Sequence, residues 1–295
     1  MRLPKRVVVI ADDFGYCSCR SSGIAECSAF LSGTSVLVTH ISASSSCSSS
    51  SVSSSSPSFA VPSDCWLGLH LNLTEGSPLC LDASSLLDPS SRSMRGREGL
   101  RSAAALRLLE PAHVRQEIEA QIAAFRNIFG RLPAHVDGHN HAHLVPVVAI
   151  ELAAVLHSLG PGTIWTRIPR QNLGNATWNI SEASAKFFDE LQKECKIAAP
   201  IFDAHQVPYR KAFIGLTTQG DLGSFERVMQ AFQDAALIDD CCEWMVHPGH
   251  ACLIESHKGD DFSKSKDRDT ELNLIKAVCL ELQKRGVKIV KNEKE

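Results

Sequence analysis

No stretch of this 295-residue sequence approaches the roughly 18 consecutive apolar residues that a membrane-spanning helix needs. No internal repeat is evident either, which excludes a repeat array. Charge of one sign is also missing. Thirty Lys and Arg against 33 Asp and Glu leave a net charge of −3, so there is no electrostatic case for nucleic acid. The basic start, MRLPKRVVVIADDFG, has an apolar run of only five or six residues before two aspartates end it, too short for a signal-peptide core. Cysteine is plentiful at 11, but the count is odd and no C-x-x-C pair occurs. Cys17, Cys19, Cys241 and Cys242 therefore read as reduced thiols rather than parts of a disulfide framework. These absences lead us to expect a soluble, cytoplasmic protein with a small-molecule partner, no nucleic acid and no membrane, with a homodimer left open.

What is present is a core. Hydrophobic residues make up 44% and charged residues 21%, as in globular domains. Short runs rich in Val, Ile and Leu or aromatic residues occur at Arg6–Ala11, Ser35–Ile41, Trp66–Leu71, Ala134–Asp137, Thr163–Ile168, Ala212–Leu216, Glu243–Val246 and Val287–Val290. Helical patterns lie between most of them. Val114, Ile118, Ile122, Phe125 and Phe129 recur every three or four residues and stop at Gly130. Glu151–Leu159, Ser181–Cys195, Phe225–Ala236 and Thr270–Arg285 read similarly. Strand alternating with helix predicts an α/β fold with mostly parallel strands, and eight units predict a distorted TIM-like (β/α) barrel in one domain spanning residues 1–295. Two stretches break the rhythm. Ser44 to Ser58 holds 12 serines in 15 residues, a low-complexity insertion with almost nothing to bury. Asp82–Gly99 has no periodicity and is expected to loop over one face.

Polar residues collect where the predicted strands end. Asp12 and Asp13 follow VVVIA, His70 follows WLGL, Asp137 and His139 follow AHV, Arg167 lies in TIWTRIP, and His247 follows EWMV. In parallel α/β folds the C-terminal strand ends form the rim on which ligands bind. Four of the 12 histidines fall within nine residues, in His135-Val-Asp137-Gly-His139-Asn-His141-Ala-His143. If that segment were extended, its alternate side chains would share one face and aim at one ion. Five groups cannot all bind one ion, and an open hydrolytic site needs three, so the remainder would orient those ligands or contact substrate. In a regular strand Asp12 and Asp13 would point to opposite faces, so Phe14-Gly15 must begin a turn if both are to reach one site. One of them would hold metal and the other accept a proton from water. Taken alone, this Asp pair reads as a helix cap, His70 as a core histidine, and His247, at a Pro-Gly turn, as an exposed acid or base. Their coincidence with the histidine cluster is what argues for a site. Arg167 and Arg170 read equally as anchors for substrate oxygens or a carboxylate and as surface cations.

The four segments Ala11-Asp12-Asp13-Phe14-Gly15, Gly68-Leu69-His70, His135 to His143, and His247-Pro248-Gly249 resemble, in order and spacing, the YdjC/ChbG-type carbohydrate deacetylases. The resemblance runs from Arg6 to about Val290. It implies a divalent metal, Mg²⁺, held by Asp13, His70 and His139, while the imidazole and carboxylate chemistry of these residues leaves Zn²⁺, Mn²⁺ or Co²⁺ as alternatives. It also implies Asp12 as the proton acceptor and an N-acetylated, chitooligosaccharide-like substrate. In the mechanism this suggests, His247 protonates the departing amine, while Arg167, Asp137 and His141 contact the sugar. Two alternatives stand beside it: a metal-dependent phosphoesterase or amidohydrolase, which two metals per chain would favour, and a non-catalytic sugar- or metal-binding protein.

Overall fold

The computed structural model describes residues 2–41, 65–171, 180–251 and 265–291. The serine tract at 44–58 lies outside the described residues.

Strand β1 (Arg6–Phe14) is the centre of the molecule, and all but its first residue are buried. It pairs in parallel with β2 (Gly33–Val36) on one side and β7 (Cys241–Val246) on the other. The sheet continues from β2 through β3 (Trp66–Leu71), β4 (His135–Gly138) and β5 (Trp165–Thr166), and from β7 to β6 (Ala212–Ile214). All these pairings are parallel. The edge strands approach through one bridge, Thr166 to Tyr209, so the sheet curls into a partial barrel. The eighth strand, β8 (Lys288–Ile289), does not complete the ring. It pairs with the start of β1, which ties the two ends of the chain into one sheet.

Among the described residues, seven helices flank these strands: α1 (Ser18–Glu26), α2 (Gly96–Ala105), α3 (Pro111–Phe129), α4 (Pro146–Leu159), α5 (Glu182–Ala204), α6 (Phe225–Ala235) and α7 (Asp267–Lys284). Helix α3 forms as its periodicity predicts. Pro111 opens it, Val114, Ile118, Ile122 and Phe125 make its buried stripe, and Gly130 ends it at φ 69°, where an L side chain would be strained. No helix among the described residues is long and apolar enough to cross a membrane.

Three elements depart from expectation. The second strand ends at Val36 and the chain turns helical from Val38, so only the start of Ser35–Ile41 is extended. The stretch Asp82–Gly99 holds a 3-10 turn at Ser84–Leu86 and a bridge between Leu87 and Met94, then enters α2, which buries only Leu100 and Ala103 and so leaves a faint pattern. Helix α1, with the sequence SCRSSGIAE, is held by contacts with β1 and α7 rather than by an apolar stripe. None of the nine described cysteines is in a disulfide.

Candidate metal centre and active site

The sheet register assembles the site. In β3 and β4, His70 stands directly beside Asp137. In β1 and β7, Ala11 pairs with Val246, so the next residues, Asp12 and His247, emerge side by side at the C-terminal ends. The expected turn at Phe14-Gly15 is present, with the Tyr16 N–H donating to the Asp13 carbonyl at 3.1 Å and Gly15 at φ 91°, and a bulge just before it helps to bring the paired aspartates to one site. Pairing with β2 slips by one residue between Ala11 and Phe14, and Asp13 sits at φ 69°. Asp is among the few residues that tolerate this left-handed conformation, and the extra residue turns its carboxylate toward the face that Asp12 occupies.

Asp13, His70 and His139 present one donor atom each within 4.8 Å of one another, all buried. Asp13 Oδ1 lies 3.3 Å from His70 Nε2 and 3.1 Å from His139 Nδ1, while its Oδ2 accepts from Arg20 Nη1 at 3.1 Å. The far nitrogen of each imidazole meets another carboxylate: His70 Nδ1 lies 2.7 Å from Asp137 Oδ1, and His139 Nε2 lies 3.1 Å from Glu75 Oε1. A carboxylate behind each ring fixes its orientation and raises its basicity as a ligand. The residues present fit a divalent cation: two imidazole nitrogens and one carboxylate oxygen converge on one point, and the positions around that point are left to water or substrate.

Without a cation, protons take its place electrostatically. Burial opposes charge on His70, but Asp137, Asp12 and Asp13 raise it to about 10. Burial likewise works against His139, which Asp13 and Glu75 raise to about 9. Burial also disfavours the Asp13 carboxylate, yet His139, His70 and Arg20 hold it well below the usual range. These carboxylates stabilise positive charge at this point whether it is carried by protons or by a metal.

Asp12 is held by a two-pronged contact. Arg167 donates through Nη1 at 2.6 Å and Nη2 at 2.9 Å, one to each carboxylate oxygen, and its Nε donates to Glu243 at 2.6 Å. Asp137 also lies 2.8 Å from Arg167 Nη2. Three carboxylates therefore share one guanidinium, so Asp12 is oriented without receiving the whole positive charge. Burial pushes Glu243 up to about 7 despite Arg167. A second possible ligand set, Asp12, His70 and Asp137, occurs in the same place. The Arg167 guanidinium already faces two of its members, so we favour the first set. His247 Nε2 lies 3.8 Å from Asp12 Oδ2. Glu271, on α7, accepts the His247 backbone N–H at 2.7 Å. Burial would raise Glu271, but Arg268 and His247 bring it down to about 2.

The histidine run does not stay extended. Strand β4 ends at Gly138, and Asn140 and His141 adopt left-handed backbone at φ 55° and 54°. The chain folds back so tightly that a Cβ on Gly138 would lie 2.5 Å from His143 Nδ1 and 2.8 Å from its backbone nitrogen. Alternation therefore fails after His139. His141 lines the cleft, whereas His143 turns under it and places Nε2 2.9 Å from the Arg167 carbonyl. His135 stacks on Trp165 and reaches Ser35, and burial lowers it to about 3.

The cleft has a volume of about 190 Å³. Asp12, Asp13, His70, His139 and His247 line it together with His141, Phe187 and Arg97, the last three packed on one another. Asp137 and Arg167, expected among the sugar contacts, lie fully buried beneath this floor and orient His70 and Asp12 instead. Arg170 does not line the cleft. A larger cavity of about 500 Å³ between α2 and α4 is mostly apolar and brings no such constellation together.

Sequence reasoning missed Glu75, Glu243 and Glu271. Two of them had a signal. Glu243 is a charge within a buried strand, and Glu271 shares the apolar stripe of Leu272, Ile275, Val278 and Leu282. Glu75 is delivered by a turn in which Asn72 Oδ1 accepts from the backbone of Thr74 and Glu75. Nothing in the sequence pointed to Arg97 or Phe187.

Known proteins resemble this chain over most of its length. The YdjC-like protein family matches residues 6–278. A mouse (Mus musculus) protein named carbohydrate deacetylase is 35% identical, the alignment covering 98% of this chain and 94% of the relative. The human protein of that name is also 35% identical, over 94% of this chain and 86% of its own. A chitooligosaccharide deacetylase of Yersinia pestis is 30% identical over 52% of this chain and 56% of its own. Among solved structures, an Enterococcus faecalis protein named for cellobiose-phosphate cleavage superimposes with a TM-score of 0.65 at 19% identity, covering 99% of this chain and 98% of that one, and shares the fold.

Proposed function

Because this chain belongs to the YdjC-like protein family, we propose that it hydrolyses the N-acetyl group of acetylated carbohydrates. The observation that carries this reading is the placement of Asp12 and His247, 3.8 Å apart, beside the Asp13, His70 and His139 cluster in one cleft. Amide hydrolysis needs a proton taken from water and a proton given to a poor leaving group, and these two residues are positioned for the two tasks. Animal relatives that cover nearly the whole chain bear the name carbohydrate deacetylase, which supplies the substrate class.

A divalent cation bound by Asp13, His70 and His139 would polarise the acetyl carbonyl and lower the pKa of water. Asp12, fixed by Arg167, accepts the proton from the attacking water. His247, whose backbone N–H is anchored on Glu271, donates a proton to the amine as the C–N bond breaks. Arg20 donates to Asp13 Oδ2 and so orients the carboxylate that would hold the cation. Resemblance implies Mg²⁺, but two imidazoles with one carboxylate suit Zn²⁺, Mn²⁺ or Co²⁺ better, because Mg²⁺ prefers oxygen donors. The absence of disulfides among the nine described cysteines suits a cytoplasmic location. A two-metal phosphoesterase is disfavoured, since a second cation near Asp12 would have to displace the Arg167 guanidinium.

The test is acetate release from N-acetylated oligosaccharides by protein reconstituted with each metal. We expect Asp12→Asn to lower kcat by about 10²–10⁴ while leaving metal binding intact, and Asp13→Ala to lose both. Metal-loaded protein that frees no acetate from any N-acetyl sugar points instead to a sugar- or metal-binding protein.

A further inference from the structure

Among the described residues that line the cleft, His141 is a histidine with a ring nitrogen sealed from solvent and no hydrogen-bond or ionic partner, whereas the sealed Nδ1 of His247 lies 3.8 Å from Glu271. His141 is 7% exposed, and its Nδ1 is buried without a hydrogen-bond partner. Its conformation is imposed from several sides. Asn140 is gripped by Thr74 Oγ1, which accepts from its amide at 3.1 Å, and by Arg101, whose Nη2 donates to its carbonyl at 3.3 Å. Arg101 is itself locked to Glu194 through Nε and Nη2, both at 2.9 Å. The imidazole plane is then set by Phe187, stacked at 6.4 Å and 24°, with Arg97 4.4 Å from the Phe187 ring centroid. Two adjacent left-handed non-glycine residues, clamped by three other segments, are a costly arrangement for a side chain that bonds nothing.

We infer that His141 reads the sugar: its Nε2 donates a hydrogen bond to a ring hydroxyl of the saccharide whose acetyl group lies at the metal-binding end. This rests on the deacetylase reading. A buried donor without a partner is rarer than a buried acceptor without one, so the sealed Nδ1 carries the lone pair and Nε2 the proton. His141 lines the same cleft but packs on Phe187, which Arg97 in turn covers, and it makes no hydrogen bond or ion pair with Asp13 or His139 of the metal-binding set, so we assign it to ring oxygens rather than to the reacting carbonyl. The contact is present before and during reaction, and its loss raises KM more than it lowers kcat. The ligand class is therefore a pyranose with a free hydroxyl beside the acetamido-bearing position, in preference to simple N-acetyl amines or aryl acetamides.

The test replaces His141 with Asn and with Gly, both of which tolerate the left-handed backbone where Phe or Ala would add strain. An N-acetylglucosamine disaccharide and its monodeoxy analogues serve as substrates. We expect KM for the disaccharide to rise about tenfold in His141→Gly, the worth of about one net hydrogen bond, with kcat within about twofold and divalent-cation affinity unchanged. One monodeoxy analogue should cost the wild type a similar factor and the Gly variant nothing. An unchanged KM, a fall confined to kcat, or undiminished discrimination among analogues in the Gly variant overturns the inference. Calorimetric binding of the deacetylated disaccharide separates the two readings. Wild type that binds about tenfold tighter than His141→Gly but frees no acetate retires the deacetylase reading and keeps the contact. Wild type that frees acetate but binds no tighter retires the contact alone.

Discussion

At the scale of single residues, the site is a set of carboxylates arranged to hold positive charge where burial would otherwise expel it. Asp13 faces His70, His139 and Arg20, and Asp137 and Glu75 stand behind the two imidazoles. This has a pH consequence for metal-free protein. Unfolded histidine titrates near 6.5, whereas in the fold His139 rises to about 9 and His70 to about 10. The folded state thus binds protons that the unfolded chain has released. Their stabilisation is complete below about pH 6.5 and is lost as pH rises through 9 to 10. In chelator-treated protein, the melting temperature should fall across that window, and His70→Gln should flatten the fall. A profile of wild type as flat as that of the variant would mean that these imidazoles do not share their protons with Asp13.

At the scale of elements, the chemistry depends on how closely secondary structures approach. Helix α1 packs on the turn after β7 so tightly that a Cβ on Gly23 would lie 2.4 Å from the Cα of Gly249, with backbone on both sides of the contact. That turn follows His247 directly. In an open helix Gly23→Ala would stabilise by up to about 1 kcal/mol through propensity. Here we expect overpacking to win, with a net loss of about 1–3 kcal/mol in urea unfolding and a fall in kcat as His247 shifts. A gain in stability would show that the helix and the turn stand farther apart. Helix α3 plays a comparable part, since Glu117 accepts the backbone N–H groups of Leu79 and Cys80, and Gln121 pairs with the backbone of Asn72. These contacts fix the loop that brings Glu75 to His139. Both side chains lie on the buried face of an amphipathic helix, so the helix was legible in the sequence and its hold on the loop was not.

At the scale of the whole molecule, Asp13 of β1, His70 of β3 and His139 just after β4 converge, so one cation would tie three strands together. A ligand that binds only the folded state stabilises by mass action, about 2.7 kcal/mol at 100 times its Kd. Divalent metal at that level should therefore raise the melting temperature by roughly 5–10 °C, and Asp13→Ala should abolish the rise. Equal melting of metal-loaded and chelated wild type would mean that the cluster holds no cation. By itself the sequence determined the α/β alternation, seven of the strand positions and the rim where Asp12, Asp13, His70, His139 and His247 gather, because periodicity and the polar ends of apolar runs are local properties of a chain. Tertiary structure alone decided that a bulge turns Asp13 inward, that left-handed backbone separates His141 from His143, and that Arg167 lies beneath the floor as the partner of Asp12. Those outcomes depend on register and on close packing between segments distant in sequence, such as the 155 positions between Arg167 and Asp12, and no local pattern records them.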